Sequence, residues 1–446
     1  MAERELEMSK NGFFISQEMA WLQTVLNTRV SLYFNQGSQY DKIEDIEMPD
    51  CNVEGIYAEF VRELRLQFSE RLFLALSLAP YVKPQLFDCL FVKNNSTGYR
   101  FSEFGGTVGD DGKMTPTFNT FLFAMAGDDV SERIELTKEF KEHPIFSKEL
   151  FVRDKIGVSD FTLTPSQELL QNIIYECHYR PDFSEDFPAR RLTTNRSWAD
   201  LIIGQKCMEQ IEVVKKWLKY KDTLNNEWNM RDKLKKGYRV LFYGPSGTGK
   251  TFTASLLGKE VGLDVYCIDL SLIVSKYIGE TEKNLSKIFN LAEGKKWILF
   301  FDEADALFGK RTKVTDSHDR YANQEVAFLL QRIEDYDGLV VLSTNLKSNI
   351  DEAFARRFQS VIRFQMPDGS QRHKLWKSTF SENVSFSEDV NLEEISKKYE
   401  ISGGSILNVV QYSSLMALSR DSNVIMKEDI IDGIKAEYRK EGKVTD

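Results

Sequence analysis

The sequence predicts an α/β fold, in which helices cover both faces of a five-stranded parallel sheet, with mainly helical regions before and after it. Between residues 198 and 366, short apolar segments alternate with helical patterns, as in sheets that are buried on both faces. A glycine-rich loop follows the first of these segments directly. Elsewhere, apolar residues recur mainly at three- and four-residue spacing, which is typical of amphipathic helices.

Residues 1–160 are predicted to form a mainly helical N-terminal domain. Apolar residues recur with helical spacing from Asn11 to about Asn35 and again from Ile56 to Leu72. Glycine-rich turns near residues 105–112 leave a winged helix as one alternative. Basic residues are not interleaved with the many aromatic residues of this region, so we interpret those aromatics as core rather than as a platform for nucleic-acid bases.

Residues 161–197 are predicted to contain one helix and a linker, because Pro181, Pro188 and mixed charges occur there without periodicity. The α/β region follows as residues 198–366, and a helical lid as residues 367–446. The strands predicted in the α/β region are Arg239–Tyr243, Asp264–Ile268, Trp297–Phe301, Leu339–Ser343 and Ser360–Phe364.

Composition narrows the possible functions. The chain has 446 residues and a formal net charge of −10, which argues against a broad nucleic-acid interface. Its five cysteines and four histidines show neither disulfide nor zinc spacing. The charged N-terminus lacks an apolar signal core, and the longest apolar run, residues 72–79, is too short to cross a bilayer. We therefore expect a cytoplasmic protein with no membrane partner.

The glycine-rich loop after the first strand has the pattern of a phosphate-binding cradle. Its glycines allow a tight turn whose N–H groups point inward, and the next helix presents its positive end to the same anion. Lys250 can reach the β- and γ-phosphates, and the Thr251 hydroxyl can bind Mg²⁺. The cradle residues after Gly244 are Pro245, Ser246, Gly247, Thr248, Gly249, Lys250 and Thr251.

Two carboxylates, Asp302 and Glu303, end the third apolar strand about fifty residues later. Ligands of open α/β sheets bind at this carboxyl edge. We expect Asp302 to hold Mg²⁺ and Glu303 to polarise the water that attacks the γ-phosphate. The combination with the cradle predicts ATP hydrolysis.

Polar residues also follow the fourth strand and precede the fifth. Asn345 could orient the attacking water, or it could be a turn-forming asparagine. Arg356 and Arg357 could supply positive charge to the ATP of a neighbouring subunit, or they could be surface arginines.

These motifs, in this order and spacing, resemble an AAA+ ATPase of the classical clade, and the resemblance extends from Trp198 to the C-terminus. It implies that Ile202, Ile203 and Gly204 contact adenine through their backbone. It also implies that Asn345 belongs to the first sensor, that Arg356 and Arg357 are arginine fingers, and that six subunits form a ring with ATP at each interface.

The segment around Tyr277, Ile278 and Gly279 resembles the first pore loop of the same family, which grips an extended polypeptide. Gly403–Ser405 resembles the lid turn of the family. The following helix carries Asn408 and no obvious second-sensor arginine, which favours a protein substrate.

The N-terminal region resembles that of AAA ATPases encoded with extracellular contractile injection systems, which are phage-tail-like particles. This resemblance rests on Arg71–Pro84, Phe104–Gly106 and Pro116–Asp128. The leading hypothesis is a ring motor that remodels, unfolds or threads a protein client chosen by the N-terminal domain. The alternative is an assembly factor or scaffold in which ATP acts as a switch without processive unfolding.

Overall fold

A computed structural model describes most of the chain, and its contacts divide the chain into two compact units, residues 1–180 and 181–446. The described residues are 10–141, 143, 145, 150–152, 155–156, 160–177, 179–185, 187–273, 279–305, 317–345 and 355–443.

The first unit is mainly helical, with short two-stranded sheets. Its helices are α1 (Lys10–Tyr33), α2 (Ile56–Glu63), α3 (Phe68–Val82), α4 (Phe118–Ala126), α5 (Val130–Lys141) and α6 (Gln167–Ile173), with 3-10 helices at Ile43–Asp45, Pro84–Phe91 and Ser102–Phe104. Its strands are β1 (Thr107–Val108), β2 (Met114–Thr115), β3 (Phe151–Val152), β4 (Lys155–Ile156), β5 (Asp160–Phe161) and β6 (Thr164–Pro165).

Two buried polar contacts hold the helices of this unit in register. The Asn11 side chain donates to the carbonyl oxygen of Ile173 at 2.7 Å and accepts from the backbone N–H of Tyr57 at 2.9 Å. The Arg71 guanidinium pairs with the Glu18 carboxylate, and both side chains are buried. Burial raises the pKa of Glu18, while the hydrogen bond and charge of Arg71 oppose that rise. Such a pair must stay matched, because either partner alone would be an uncompensated buried charge.

The second unit contains the main sheet and the lid. Its elements before the lid are β7 (Arg190–Leu192), a 3-10 helix (Trp198–Asp200), α7 (Gln205–Asp222), a π-helical turn (Thr223–Glu227), β8 (Tyr238–Tyr243), α8 (Lys250–Val261), β9 (Val265–Asp269), α9 (Leu270–Ile273), α10 (Glu280–Ala292), β10 (Ile298–Asp302), α11 (Ser317–Asp335), β11 (Leu339–Thr344) and β12 (Ser360–Arg363). The lid elements are α12 (Gly369–Thr379), β13 (Ser385–Phe386), α13 (Leu392–Lys398), α14 (Gly403–Ser419), β14 (Val424–Ile425) and α15 (Lys427–Lys440).

The main sheet has the strand order β12-β8-β11-β10-β9-β7, and the first five strands are parallel. They are the five predicted strands, each displaced by at most one residue at either end. Apolar cores cover both faces of the sheet, which explains why the strands are almost continuously apolar.

A sixth strand, β7, differs from the prediction of a five-stranded sheet. It pairs antiparallel with β9 and lies within the segment predicted as a linker. It is only three residues long and begins with Arg190 and Arg191, so no apolar alternation marks it in the sequence. Its pairing covers the backbone groups of an otherwise open sheet edge.

Parallel strands give this sheet two chemically different edges. The carboxyl edge, where strands β8 to β12 end, carries the glycine-rich loop, Asp302 and Thr344. The amino edge, where these strands begin, lies next to Gly237 and Gln359. No helix among the described residues is long and apolar enough to cross a membrane.

Candidate nucleotide-binding site

The glycine-rich loop connects the end of β8 to the first residue of α8, Lys250. Gly244 opens the loop with a φ of +146° and lies against the carbonyl oxygen of Phe364, where a Cβ atom would collide with backbone. The loop therefore folds tightly over the end of the sheet, and its position requires glycine.

Gly247 links this loop to the lid. Its φ is +73°, and its carbonyl oxygen accepts a hydrogen bond from the N–H of Gly404 at 3.0 Å. A Cβ atom on Gly247 would lie 2.5 Å from the Ser402 hydroxyl oxygen, which caps α14 by accepting from Ser405 N–H. The sequence predicted the lid turn but not this direct contact with the loop.

The Lys250 ammonium is buried within the loop, with 7% of the residue exposed. It donates to the carbonyl oxygens of Gly244 at 2.7 Å and Pro245 at 3.0 Å, and to the amide oxygen of Asn345 at 2.9 Å. Burial lowers the pKa of Lys250, and the carboxylates of Asp302 and Asp305 oppose that decrease. Lys250 therefore joins the loop to the end of β11.

Thr251 and Asp302 lie next to one another at the carboxyl edge. The Thr251 hydroxyl donates to the Asp302 carboxylate at 3.3 Å. A hydroxyl and a carboxylate are the oxygen ligands that Mg²⁺ takes in nucleotide sites, so this pair fits the ion. Glu303 is exposed and has a φ of +51°, which turns the chain sharply after the strand. Adjacent carboxylates in different environments are suited to different roles.

Asp305 is a site residue that the sequence analysis missed. Its carboxylate accepts from the Thr344 hydroxyl and from the Asn345 backbone N–H, the latter at 3.1 Å. The N–H of Ala304 also donates to the Ser343 carbonyl oxygen at 3.0 Å, so two segments after β10 and β11 are held together. The available signal was a third carboxylate three residues after Asp302, but its partners lie forty residues away in the chain.

The predicted adenine segment begins beside the loop. The Leu201 side chain lies 3.1 Å from the position that a Cβ atom of Gly249 would occupy. Ile202, Ile203 and Gly204 follow it, partly buried, and Gly204 is the N-cap of α7.

Other predicted residues lie elsewhere. Arg356 and Arg357 are exposed just before β12, at the amino edge, so one chain does not bring them to its own Lys250. Arg357 pairs with Glu334 at 3.1 Å. Tyr277 and Ile278 lie outside the described residues, and Gly279 begins α10 with a φ of +85°.

Sequence comparison finds the protein family described as "ATPase family associated with various cellular activities (AAA)" at residues 240–366. The chain is 35% identical over 182 residues to Cell division protein C of Sulfolobus acidocaldarius, covering 39% of this chain and 48% of that protein. It is 30% identical over 203 residues to the proteasome-activating nucleotidase of Methanopyrus kandleri, covering 44% of this chain and 46% of that protein.

The chain is also 31% identical over 245 residues to a katanin p60 ATPase of Homo sapiens (the A-like 1 form), covering 52% of this chain and 48% of that protein. It thus spans about half the length of these relatives. Among solved structures, the FIGL-1 AAA domain is 23% identical with a TM-score of 0.45, and the match covers 55% of this chain and 85% of that one.

The contact between loop and lid can be tested at Gly247. We expect Gly247→Ala to weaken nucleotide binding by about tenfold or more, since the new methyl group meets Ser402 and the start of α14. Gly262→Ala is the matched control, because Gly262 has a similar φ of +68° but open space around it. Titration with a fluorescent ATP analogue measures both. Equal losses in the two variants would attribute the effect to backbone strain and contradict the contact.

The role of Asp305 can be tested by kinetics. We expect Asp305→Ala to lower kcat for ATP by about tenfold to a hundredfold, because a small displacement of Asn345 is costly to catalysis. Nucleotide affinity and thermal stability should stay near those of the wild type. Thr344→Ser keeps the hydroxyl and should retain activity, whereas Thr344→Val should lose part of it. A parallel loss of stability, affinity and kcat in Asp305→Ala would indicate a merely structural carboxylate.

Proposed function

We propose that this chain, which contains an AAA ATPase domain of the classical clade, uses ATP hydrolysis to remodel, unfold or thread a protein client. The observation that carries the proposal is the hydrogen-bonded carboxyl edge of the sheet. There, Lys250 joins the loop to Asn345, and Thr251 contacts Asp302. Phosphoryl transfer depends on such positioned charges rather than on covalent chemistry by the protein.

Each residue of this edge has a distinct proposed role. Lys250 and the loop N–H groups bind the phosphates of ATP. Thr251 and Asp302 hold Mg²⁺, which supplies charge neutralisation to the phosphate oxygens. Glu303, whose side chain is exposed beyond the strand end, accepts the proton of the attacking water, and Asn345 orients that water or the γ-phosphate. Ile202, Ile203 and Gly204 contact adenine through their backbone.

The arginines support a ring of subunits. Because Arg356 and Arg357 precede β12 at the edge opposite to Lys250, they are suited to reach the ATP of a neighbouring copy of the chain. The head-to-tail contact that results generates a closed ring when its rotation closes. We propose a homo-oligomer of six subunits, with ATP at each interface.

The client is proposed to be a protein. Tyr277 and Ile278 form the pore loop in this proposal, because an aromatic side chain can grip a passing polypeptide without reading its sequence. The N-terminal region, by its resemblance, directs this activity to the assembly or cargo of a contractile injection particle. The five cysteines form no disulfide, which agrees with the predicted cytoplasmic location.

Glu303→Gln should retain ATP binding but lower turnover by about two to four orders of magnitude, the usual contribution of a positioned general base. Lys250→Ala should instead weaken nucleotide binding. Steady-state ATPase rates and nucleotide titrations on the purified proteins separate the two effects. Near-normal turnover by Glu303→Gln would sink the assignment of Glu303.

Tyr277→Ala should keep assembly and most basal ATP turnover but abolish client remodelling, since only the grip on the polypeptide is removed. Assembly, thermal stability, ATPase and unfolding of a client trapped on Glu303→Gln rings are measured on one preparation. A destabilised variant, or one that remodels at the normal rate, would exclude Tyr277 from the pore. ATP-dependent assembly by a wild type that unfolds no client would favour the switched scaffold.

A further inference from the structure

A groove of about 900 Å³ lies at the amino edge of the main sheet, on the side away from the glycine-rich loop. Its wall includes Trp217 of α7 and Tyr238 of β8, whose rings are 5.1 Å apart. Tyr336 is buried beside it and donates to the Trp297 carbonyl oxygen at 2.7 Å. The base of the groove is therefore rigid and aromatic.

The rim of the groove is basic. Residues 231–236, which lead into β8, are exposed and contain Arg231, Lys233, Lys235 and Lys236 against the single acid Asp232. None of these four cations has an ion-pair partner within the described part of the chain. Other lysines of the groove are paired, since Lys221 meets Asp337 at 3.2 Å and Lys296 meets Asp222 at 3.1 Å. The rim thus presents uncompensated positive charge, although the chain as a whole carries −10.

The basic rim and the two exposed arginines share the amino edge. Gln359 lines the groove and immediately precedes β12, only two residues after Arg357. Arg357 pairs with Glu334, and the next residue, Asp335, also lines the groove. The groove is therefore continuous with the surface that carries Arg356 and Arg357.

The carboxyl edge has the opposite charge. Strands β9 and β10 end in Asp269 and Asp302, and Glu303 follows. Helix α10 runs back toward the groove, where Phe289 and Ala292 line it, so its first residues lie at the carboxyl edge. Those first residues include Glu280 and Glu282.

We propose that the basic groove is a docking surface for the acidic carboxyl edge of a second copy of this chain. The inference rests on the proposed function, in which the arginines of one copy reach the ATP of the next. Opposite charges on opposite edges favour this head-to-tail orientation and disfavour contacts between like edges. A uniform polyanion such as DNA is a poorer match, because Asp222, Asp335 and Asp337 also line the groove.

The test reverses the rim charge. We expect Lys233→Glu/Lys235→Glu/Lys236→Glu to raise the concentration for half-assembly by about tenfold or more, because like charges then face each other. Sedimentation velocity of the full chain with a non-hydrolysable ATP analogue measures this. The control Lys206→Glu/Lys216→Glu/Lys219→Glu makes the same charge change on the exposed face of α7 and should assemble normally. Weaker assembly should be accompanied by unchanged thermal stability.

Rescue identifies the partner surface. Glu280→Lys/Glu282→Lys protein, mixed with the rim variant, should form mixed assemblies that neither variant forms alone at the same concentration. Unchanged assembly of the rim variant would overturn the docking surface, as would equal effects of rim and control variants. Binding of a DNA duplex that the rim variant loses, with assembly intact, would also overturn it.

Failure of the docking surface is distinguishable from failure of the proposed function. Inactive Lys250→Ala protein mixed with inactive Arg356→Ala/Arg357→Ala protein regains ATPase activity if the arginines act between subunits. Recovery in that mixture with normal assembly of the rim variant would reject the groove and leave the ring standing. No recovery in verified mixed assemblies would reject the action of the arginines between subunits, and with it the basis of the inference.

Discussion

The buried ammonium of Lys250 is the constraint on which the rest of the site depends. A buried cation is tolerated only where acceptors surround it, and here two loop carbonyl oxygens and the Asn345 amide oxygen do so. Those acceptors must therefore come from the loop and from the end of a different strand. The requirement fixes β8 and β11 as neighbours at the carboxyl edge, which is how the sheet pairs them.

The polarity of the sheet then decides what one chain can do alone. All five main strands point the same way, so groups after them gather at one edge and groups before them at the other. Lys250, Asp302 and Asn345 fall in the first class, whereas Arg356 and Arg357 fall in the second. No rotation of a side chain brings the second group across a buried sheet, so a contribution by these arginines has to come from another copy.

Local patterns explain how much the sequence revealed. The five main strands were predictable because each is a short apolar run beside a turn, and Lys250, Asp302 and Asn345 were predictable because they sit at fixed offsets from those runs. The strand β7 and the contacts of Asp305 and Ser402 were not, because each depends on a partner that only tertiary pairing brings near. Local periodicity carries no information about such partners.

The loop also explains how a change at the site can reach the lid. The Gly404 N–H donates to the Gly247 carbonyl oxygen, and Gly247 leaves no room for a side chain next to Ser402. A backbone rotation at Gly247 would turn this carbonyl away and break the bond, and the N-terminus of α14 would then lose an acceptor that it cannot replace from within the helix. The orientation of the loop and the docking of α14 are therefore energetically coupled. Mechanical work by this unit requires that coupling, because hydrolysis occurs at the loop while the lid carries separate helices and its own core.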